Sequence, residues 1–267
     1  MSSEPVVVCS HLVKVYDSAS GRVQAVRGVD LEIDEGTATA IVGPSGSGKS
    51  SLLRMIAGLD RPTAGSALIT GIDLFSLRPG RRSRLRGSLV TLVFQRPSDN
   101  LFSHLTARQQ LARLGGEEQV VSETLADFGL EGRADHTPDR LSGGEKQRLA
   151  FARAVVSGHR LVIADEPTSQ LDGESAQATL EAISHLVARG ASVLVATHDD
   201  RVLERMSSVI VLRDGTVATI TSGGEELAVI DRSGRIQLPP LVRDNFPDRR
   251  ARLRWDPDTN RLTVDPP

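Results

Sequence analysis

The chain of 267 residues has a single cysteine, Cys9. No disulfide can form within it, which suits a reducing compartment, and Cys9 is expected to pack beside a strand. A dominant charge of one sign is also missing. Lys and Arg number 32 against 34 Asp and Glu, a formal net charge of −2, so no global basic field argues for a nucleic-acid partner. Long apolar runs are absent too. Residues 161–164 and 209–212 are among the longest; these are strand-sized, well short of the roughly 20 residues of a membrane-spanning helix. The opening Met1-Ser2-Ser3-Glu4-Pro5 lacks a basic segment followed by an apolar stretch, so no secretory signal is expected. Any role at a membrane is therefore expected to come through a partner.

Hydrophobic residues make up 39% and charged residues 25%, an ordinary globular balance. The length suits one large domain and a small appendage. Short Val/Ile/Leu/Ala runs alternate with amphipathic stretches, the mark of an α/β fold. Strands are expected at residues 6–9, 29–33, 39–42, 89–94, 161–164, 192–196, 209–212 and 216–220, and helices at 49–57, 105–114, 118–128, 145–157, 173–188 and 200–206. Residues 96–140 carry weak helices, a Gly115-Gly116 break and little strand signal, so they read as a helical insertion. The arginines at 78, 81, 82, 84 and 86 read as a solvated helix face. Residues 222–226, Ser-Gly-Gly-Glu-Glu, read as a flexible linker between an α/β domain at 1–221 and a β-rich appendage at 227–267.

Gly43-Pro44-Ser45-Gly46-Ser47-Gly48-Lys49-Ser50 satisfies the phosphate-loop pattern and lies between an expected strand and an expected helix. Glycines let the backbone wrap closely around phosphate oxygens, and the helix N-terminus adds partial positive charge. Lys49 would neutralise the β- and γ-phosphates of a nucleotide, and the Ser50 hydroxyl would hold Mg²⁺, with Ser51 beside it. The buried run at 161–164 ends in Asp165-Glu166-Pro167. Open α/β sheets place chemistry at the carboxyl ends of strands. There Asp165 would bind Mg²⁺ and Glu166 would activate the attacking water. Leu141-Ser142-Gly143-Gly144-Glu145 opens a helix. It reads both as a capping box and as a second anion site built from backbone amides.

Together these motifs resemble the ATP-binding cassette (ABC) family over about residues 5–220. The resemblance implies a P-loop NTPase core and ATP hydrolysis with ATP and Mg²⁺ as cofactors. It places Tyr16 as the adenine-stacking ring, Gln95 as the Q-loop glutamine at the metal, and His198 as the switch histidine. Ser142, Gly143, Gly144 and Glu145 become a signature acting in trans, and Asp172, ending Ser169-Gln170-Leu171-Asp172, a dimer-contacting residue. Ala25-Val26-Arg27-Gly28-Val29-Asp30-Leu31 and Ile56-Ala57-Gly58-Leu59-Asp60-Arg61-Pro62 are similar to the ATPases of lipoprotein-release, macrolide-export and peptide-resistance systems. Residues 95–141 look several residues shorter than is usual there, and Glu145 stands where many members have Gln. The expectation is a homodimer of cytoplasmic subunits, peripheral on the inner face of the cell membrane, driving a separate integral-membrane permease. Two soluble alternatives within the family act in DNA repair or on ribosomes. The first class carries a long coiled coil, and no sustained heptads occur here.

Beyond residue 227 the pattern is hairpin, short helix, hairpin. Strands are expected at 227–231 and 235–238, then at 251–255 and 261–264. Ala251, Leu253 and Trp255 alternate with Arg252 and Arg254, leaving one face apolar. The order is similar to AbrB-like swapped-hairpin domains, of which many bind DNA. The acids Asp231, Asp244, Asp248, Asp256, Asp258 and Asp265 nearly match the arginines and argue against that use. About forty residues cannot build a sufficient core. The segment must pair with a copy of itself or dock on the α/β domain.

Overall fold

The computed structural model describes residues 4–18, 21–230, 234, 236, 245–246, 250–257, 259 and 261–265. It begins with three strands: β1 (Pro5–Ser18), β2 (Gly21–Asp34) and β3 (Ala38–Val42). Helix α1 (Lys49–Ile56) follows, then β4 (Ala64–Ile69), β5 (Ile72–Asp73), α2 (Pro79–Leu89) and β6 (Val90–Val93). Three helices come next: α3 (Ala107–Ala112), α4 (Glu118–Asp127) and α5 (Gly143–Ser157). After them lie β7 (Leu161–Asp165), α6 (Gly173–Ala188), β8 (Ser192–Ala196) and α7 (Asp200–Leu203). The described chain closes with β9 (Ser208–Arg213), β10 (Thr216–Ser222), β11 (Glu225–Ala228), β12 (Arg252–Asp256) and β13 (Arg261–Asp265).

A seven-stranded sheet has the order β11-β10-β9-β3-β8-β7-β6. Its run from β9 to β6 is parallel, and β10 and β11 add antiparallel at one edge. Strands β3, β7 and β8 are buried nearly end to end, as parallel strands covered on both faces must be. A second, antiparallel sheet has the order β2-β1-β4-β5. One apolar cluster joins the two sheets around α1, through Leu12, Ile33, Ile41, Leu52, Met55 and Ile69. The other packs α3–α6 against the far face through Leu111, Leu125, Leu149, Phe151, Ile183 and Val195. The helical insertion is thus tied to the sheet mainly by α5.

The structure departs from expectation in four places. The first two strands are longer than residues 6–9 and 29–33, because β1 and β2 extend as a half-exposed ribbon with polar residues along it. Strands β4 and β5 fall where the sequence pattern predicts no strand. Residues 79–89 are helical as the arginine face requires, yet α2 buries none of its residues. Residues 222–226 are not a free linker: Gly223 and Gly224, at φ 60° and 85°, close a hairpin in which Ser222 faces Glu225. Two residues at positive φ make the two-residue turn whose twist matches its strands, so the glycines extend the sheet.

In the appendage, β12 and β13 pair antiparallel with Leu253 opposite Val264 and Trp255 opposite Leu262. Of the hairpin expected at 227–238, the structure describes a bridge between Ile230 and Ile236. Residues 231–233, 235 and 237–244 lie outside the described residues, and with them most of the segment 239–246 expected to form the short helix.

Candidate functional site at the carboxyl ends of the parallel strands

Four loops leave the carboxyl ends of β3, β6, β7 and β8, and each carries residues marked in the sequence. After β3 the chain turns through Gly43 to Gly48 into α1. Gly43 has φ 149° and a Cβ there would lie 2.1 Å from the Leu212 carbonyl oxygen; Gly48 has φ 103° and its Cβ would lie 2.2 Å from that of Ala25. Neither position tolerates a side chain, so the loop is held against backbone on two sides. Pro44, Ser45 and Gly46 are exposed at its tip, while Ser47 is buried with an unpartnered hydroxyl. The Lys49 ammonium donates to the carbonyls of Gly43, at 2.7 Å, and Pro44, at 3.2 Å. It therefore curls back over the cradle that the loop encloses.

Ser50, in the first turn of α1, donates to the Asp165 carboxylate at the end of β7. Burial raises the Asp165 pKa and the neighbouring Glu166 adds to the rise; the Ser50 hydrogen bond and Lys49 oppose it without cancelling it. Glu166 sits at φ 48°, a left-handed conformation uncommon for a non-glycine residue. Its N–H donates to the Ala196 carbonyl at the end of β8, 2.8 Å away. One carboxylate oxygen lies 2.9 Å from His198 Nδ1, while the other is buried with no partner. The Ser169 hydroxyl donates to the Glu166 carbonyl at 3.0 Å, and Gln95 Nε2 donates to Ser169 at 3.3 Å. Lys49, Ser50, Asp165, Glu166, His198, Ser169 and Gln95 thus form one connected group.

Tyr16, on β1, reaches both the first turn of α1 and the segment that follows the helix. Its hydroxyl bonds Asp60 at 3.0 Å and Ser51 at 3.3 Å, and the Lys14 ammonium lies 4.8 Å from the ring centre. The ring is half-buried, fixed at its tip and able to offer a face.

Ser142, Gly143, Gly144 and Glu145 form a separate group with Asp172. The expected capping box is present: Glu145 N–H donates to Ser142 Oγ at 3.1 Å, and Ser142 N–H donates to the Glu145 carboxylate at 2.7 Å. Burial would raise the Glu145 pKa, but the Ser142 N–H and the Arg133 guanidinium hold it below the usual range. A Cβ on Gly144 would meet Ser175 at 2.5 Å, so the glycine allows α5 and α6 to touch. Asp172 caps α6 by accepting from Ser175 N–H at 2.8 Å. Ser142 and Gly143 remain exposed, with α5 amides at the surface beside Asp172. None of the hydrogen bonds described links this group to the phosphate loop.

Three residues of the site region escape the sequence reading. Asp199 accepts from Thr168 at 2.9 Å and from Arg201 at 2.7 Å, tying the loop of His198 to the loop of Glu166. A signal for Asp199 exists, an Asp immediately before a helix. None exists for Thr168 or for the contact of Asp60 with Tyr16, whose partners are distant in sequence.

The family model described as ABC transporter matches residues 26–169 of this chain, more than half its length. The chain belongs to the ABC transporter family. It is an ABC ATPase cassette with the P-loop NTPase fold, and no helix among its described residues is long and apolar enough to cross a membrane. Phosphate loop, signature and the Asp165–Glu166 pair fall inside the matched span; Tyr16, Asp172 and His198 lie outside it. The cassette is 35% identical over 239 residues to the macrolide export ATP-binding/permease protein MacB of Neisseria gonorrhoeae, covering 86% of this chain and 37% of that protein. It therefore spans about a third of the length of the curated relatives it matches. A bacterial ABC transporter cassette, MJ0796, solved as a dimer, is 32% identical at a TM-score of 0.73, covering 81% of this chain and 98% of that one. A post-hydrolysis state of that cassette bound to ADP and Pi is similar at a TM-score of 0.71 and 32% identity, covering 83% of this chain and 98% of that one.

Proposed function

We propose that this cassette is the ATP-hydrolysing subunit of an exporter or of a lipid- or peptide-handling transporter. It works as a head-to-tail homodimer that drives a separate integral-membrane permease from the cytoplasmic face of the membrane. The observation that carries this reading is the connected group running from Lys49 and Ser50 through Asp165 and Glu166 to His198, Ser169 and Gln95.

Tyr16 would stack on adenine. The loop from Gly43 to Ser51 would wrap the phosphates, with Lys49 turned from the loop carbonyls to the β- and γ-phosphates. Ser50, Asp165 and Gln95 are the residues that would hold Mg²⁺, which supplies charge neutralisation at the phosphates. They fit such an ion: a hydroxyl already bonded to a carboxylate, and a carboxyl whose raised pKa reflects burial without a full counter-charge. The unpartnered Glu166 oxygen is suited to accept a proton from water. His198, on the other oxygen, orients that carboxylate. No described hydrogen bond joins Ser142, Gly143, Gly144 and Glu145 to their own phosphate loop, which suits a signature that completes the site of the opposite chain, with Asp172 beside that contact. The helices described between phosphate loop and signature are no longer than the 11 residues of α2, so the long coiled coil of repair-type cassettes finds no support.

Glu166→Gln tests this reading. It should keep ATP binding, lower turnover by roughly 10²–10⁴, and co-elute with unhydrolysed ATP on size-exclusion chromatography. Turnover at the wild-type rate would remove Glu166 from the mechanism.

A further inference from the structure

The hairpin of β12 and β13 is a two-stranded sheet with one bare apolar face. Leu253, Trp255 and Leu262 are 64%, 58% and 51% exposed, and Val264, opposite Leu253, continues the same face. The other face carries Arg252, Arg254, Asp256, Arg261, Thr263 and Asp265. A lone two-stranded hairpin is marginal in water, and a third or fourth strand is what stabilises such a face. Each strand of this hairpin pairs only with the other among the described residues, so among these residues β13 has an open edge.

The order of residues along β13 distinguishes the two edges. Its sequence is Arg261-Leu262-Thr263-Val264-Asp265. Turned about a two-fold axis through Thr263 and laid antiparallel on itself, it sets Arg261 opposite Asp265, Leu262 opposite Val264, and Thr263 opposite Thr263. Every pair is favourable: opposite charges at both ends, apolar pairs next, and a threonine pair at the centre. Strand β12, Arg252-Leu253-Arg254-Trp255-Asp256, treated alike would set Arg254 against Arg254, a like-charge clash at the axis. A one-residue slip of β13 would carry Leu262 and Val264 to the arginine face.

We infer that β13 is a self-pairing edge through which two copies of this chain join antiparallel, with Thr263 on the two-fold axis. The product is a four-stranded sheet in the order β12-β13-β13-β12. Its apolar face is continuous across the axis, and it has the isologous form that a closed dimer requires. It forms without nucleotide and tethers two cassettes, raising the concentration of each at the other. The inference rests on the appendage alone and stands or falls independently of the roles proposed for the nucleotide site.

Site-specific cross-linking of the full chain, free of nucleotide, tests the register. Cys9 is buried and unreactive, its thiol pKa pushed up to about 12 by burial and by Asp30, so wild type is the blank. Under mild oxidation, Thr263→Cys should give a covalent dimer. Arg261→Cys alone should not, because its own copy lies four residues along the strand, roughly 13 Å away. Mixed Arg261→Cys and Asp265→Cys chains should cross-link as pairs. The expected rate for Thr263→Cys exceeds that of Arg261→Cys by roughly a hundredfold, the ratio of a roughly millimolar tethered concentration to about 10 μM in solution. No cross-link at position 263, or equal rates at 263 and 261, overturns the inference. ATP binding by each variant reports that the cassette is folded.

Discussion

His198 Nδ1 lies 2.9 Å from Glu166 Oε1, joining the end of β8 to the end of β7. The contact uses one carboxylate oxygen and leaves the other buried and unpartnered. Glu166 reaches this position through a left-handed backbone, φ 48°, locked by its N–H bond to Ala196. His198→Ala should therefore release the carboxylate without disturbing the phosphate loop. Turnover should fall on the order of 10²-fold while ATP affinity stays within about threefold, a change below 1 kcal/mol. Parallel ATP titration and steady-state hydrolysis check this; equal losses in both would place His198 in nucleotide binding.

Asp165 carries a cost when no cation is present. Its pKa is raised by burial, then by Glu166, so the unfolded chain ionises first as pH rises. Stability is unaffected by this group at a pH below the ordinary carboxylate range, and falls as pH climbs through that range to the raised folded value. Asp165→Asn removes the cost. The nucleotide-free variant should be more stable than wild type at neutral pH, the advantage should vanish near pH 3–4, and hydrolysis should be lost. Denaturant unfolding at several pH values measures it; a destabilised variant at pH 7 would contradict the assignment.

Asp199 works in the opposite sense. Arg201, then Thr168 and the Arg201 N–H, lower its pKa to about 2 against the burial that would raise it. Its stabilisation is full above the unfolded pKa of about 4 and is lost as pH falls through 4 towards 2. Asp199→Asn should thus lower stability at neutral pH, with the difference from wild type shrinking in that acid window. Turnover should fall as well, because the loops of His198 and Glu166 are no longer clasped. A variant indistinguishable from wild type at pH 7 would show that the Thr168 contact carries no load.

Much of the nucleotide site is legible in the sequence because each of its parts is local. The phosphate loop, the Asp165–Glu166 strand end and the Ser142–Glu145 capping box each need under ten residues to specify their geometry. The pattern fails where local signals are weak. Strands β4 and β5 and the outer lengths of β1 and β2 lie on a ribbon with half its residues facing solvent, so no apolar run marks them. Helix α2 fully buries none of its residues and rests only Leu85 and Leu89 half-buried on the core, too short an apolar period to stand out beside Pro79 and the arginine run. Gly223-Gly224 reads equally as a linker or as a turn until a partner strand is known. The Tyr16–Asp60 and Asp199–Thr168 contacts span 44 and 31 residues and leave no mark on either segment.

If two chains share each ATP site, Ser142, which caps its own helix at the surface, acts on the ATP held by Lys49 of the other chain. ATP affinity and turnover of Ser142→Arg, alone and mixed with Lys49→Ala, test it most directly. Ser142→Arg should bind ATP through Lys49 yet not turn over, Lys49→Ala should be inactive, and mixing them should restore hydrolysis at one site per mixed dimer. Wild-type turnover by Ser142→Arg alone, or a loss that merely follows lost ATP affinity, would contradict it and put the whole site within one chain.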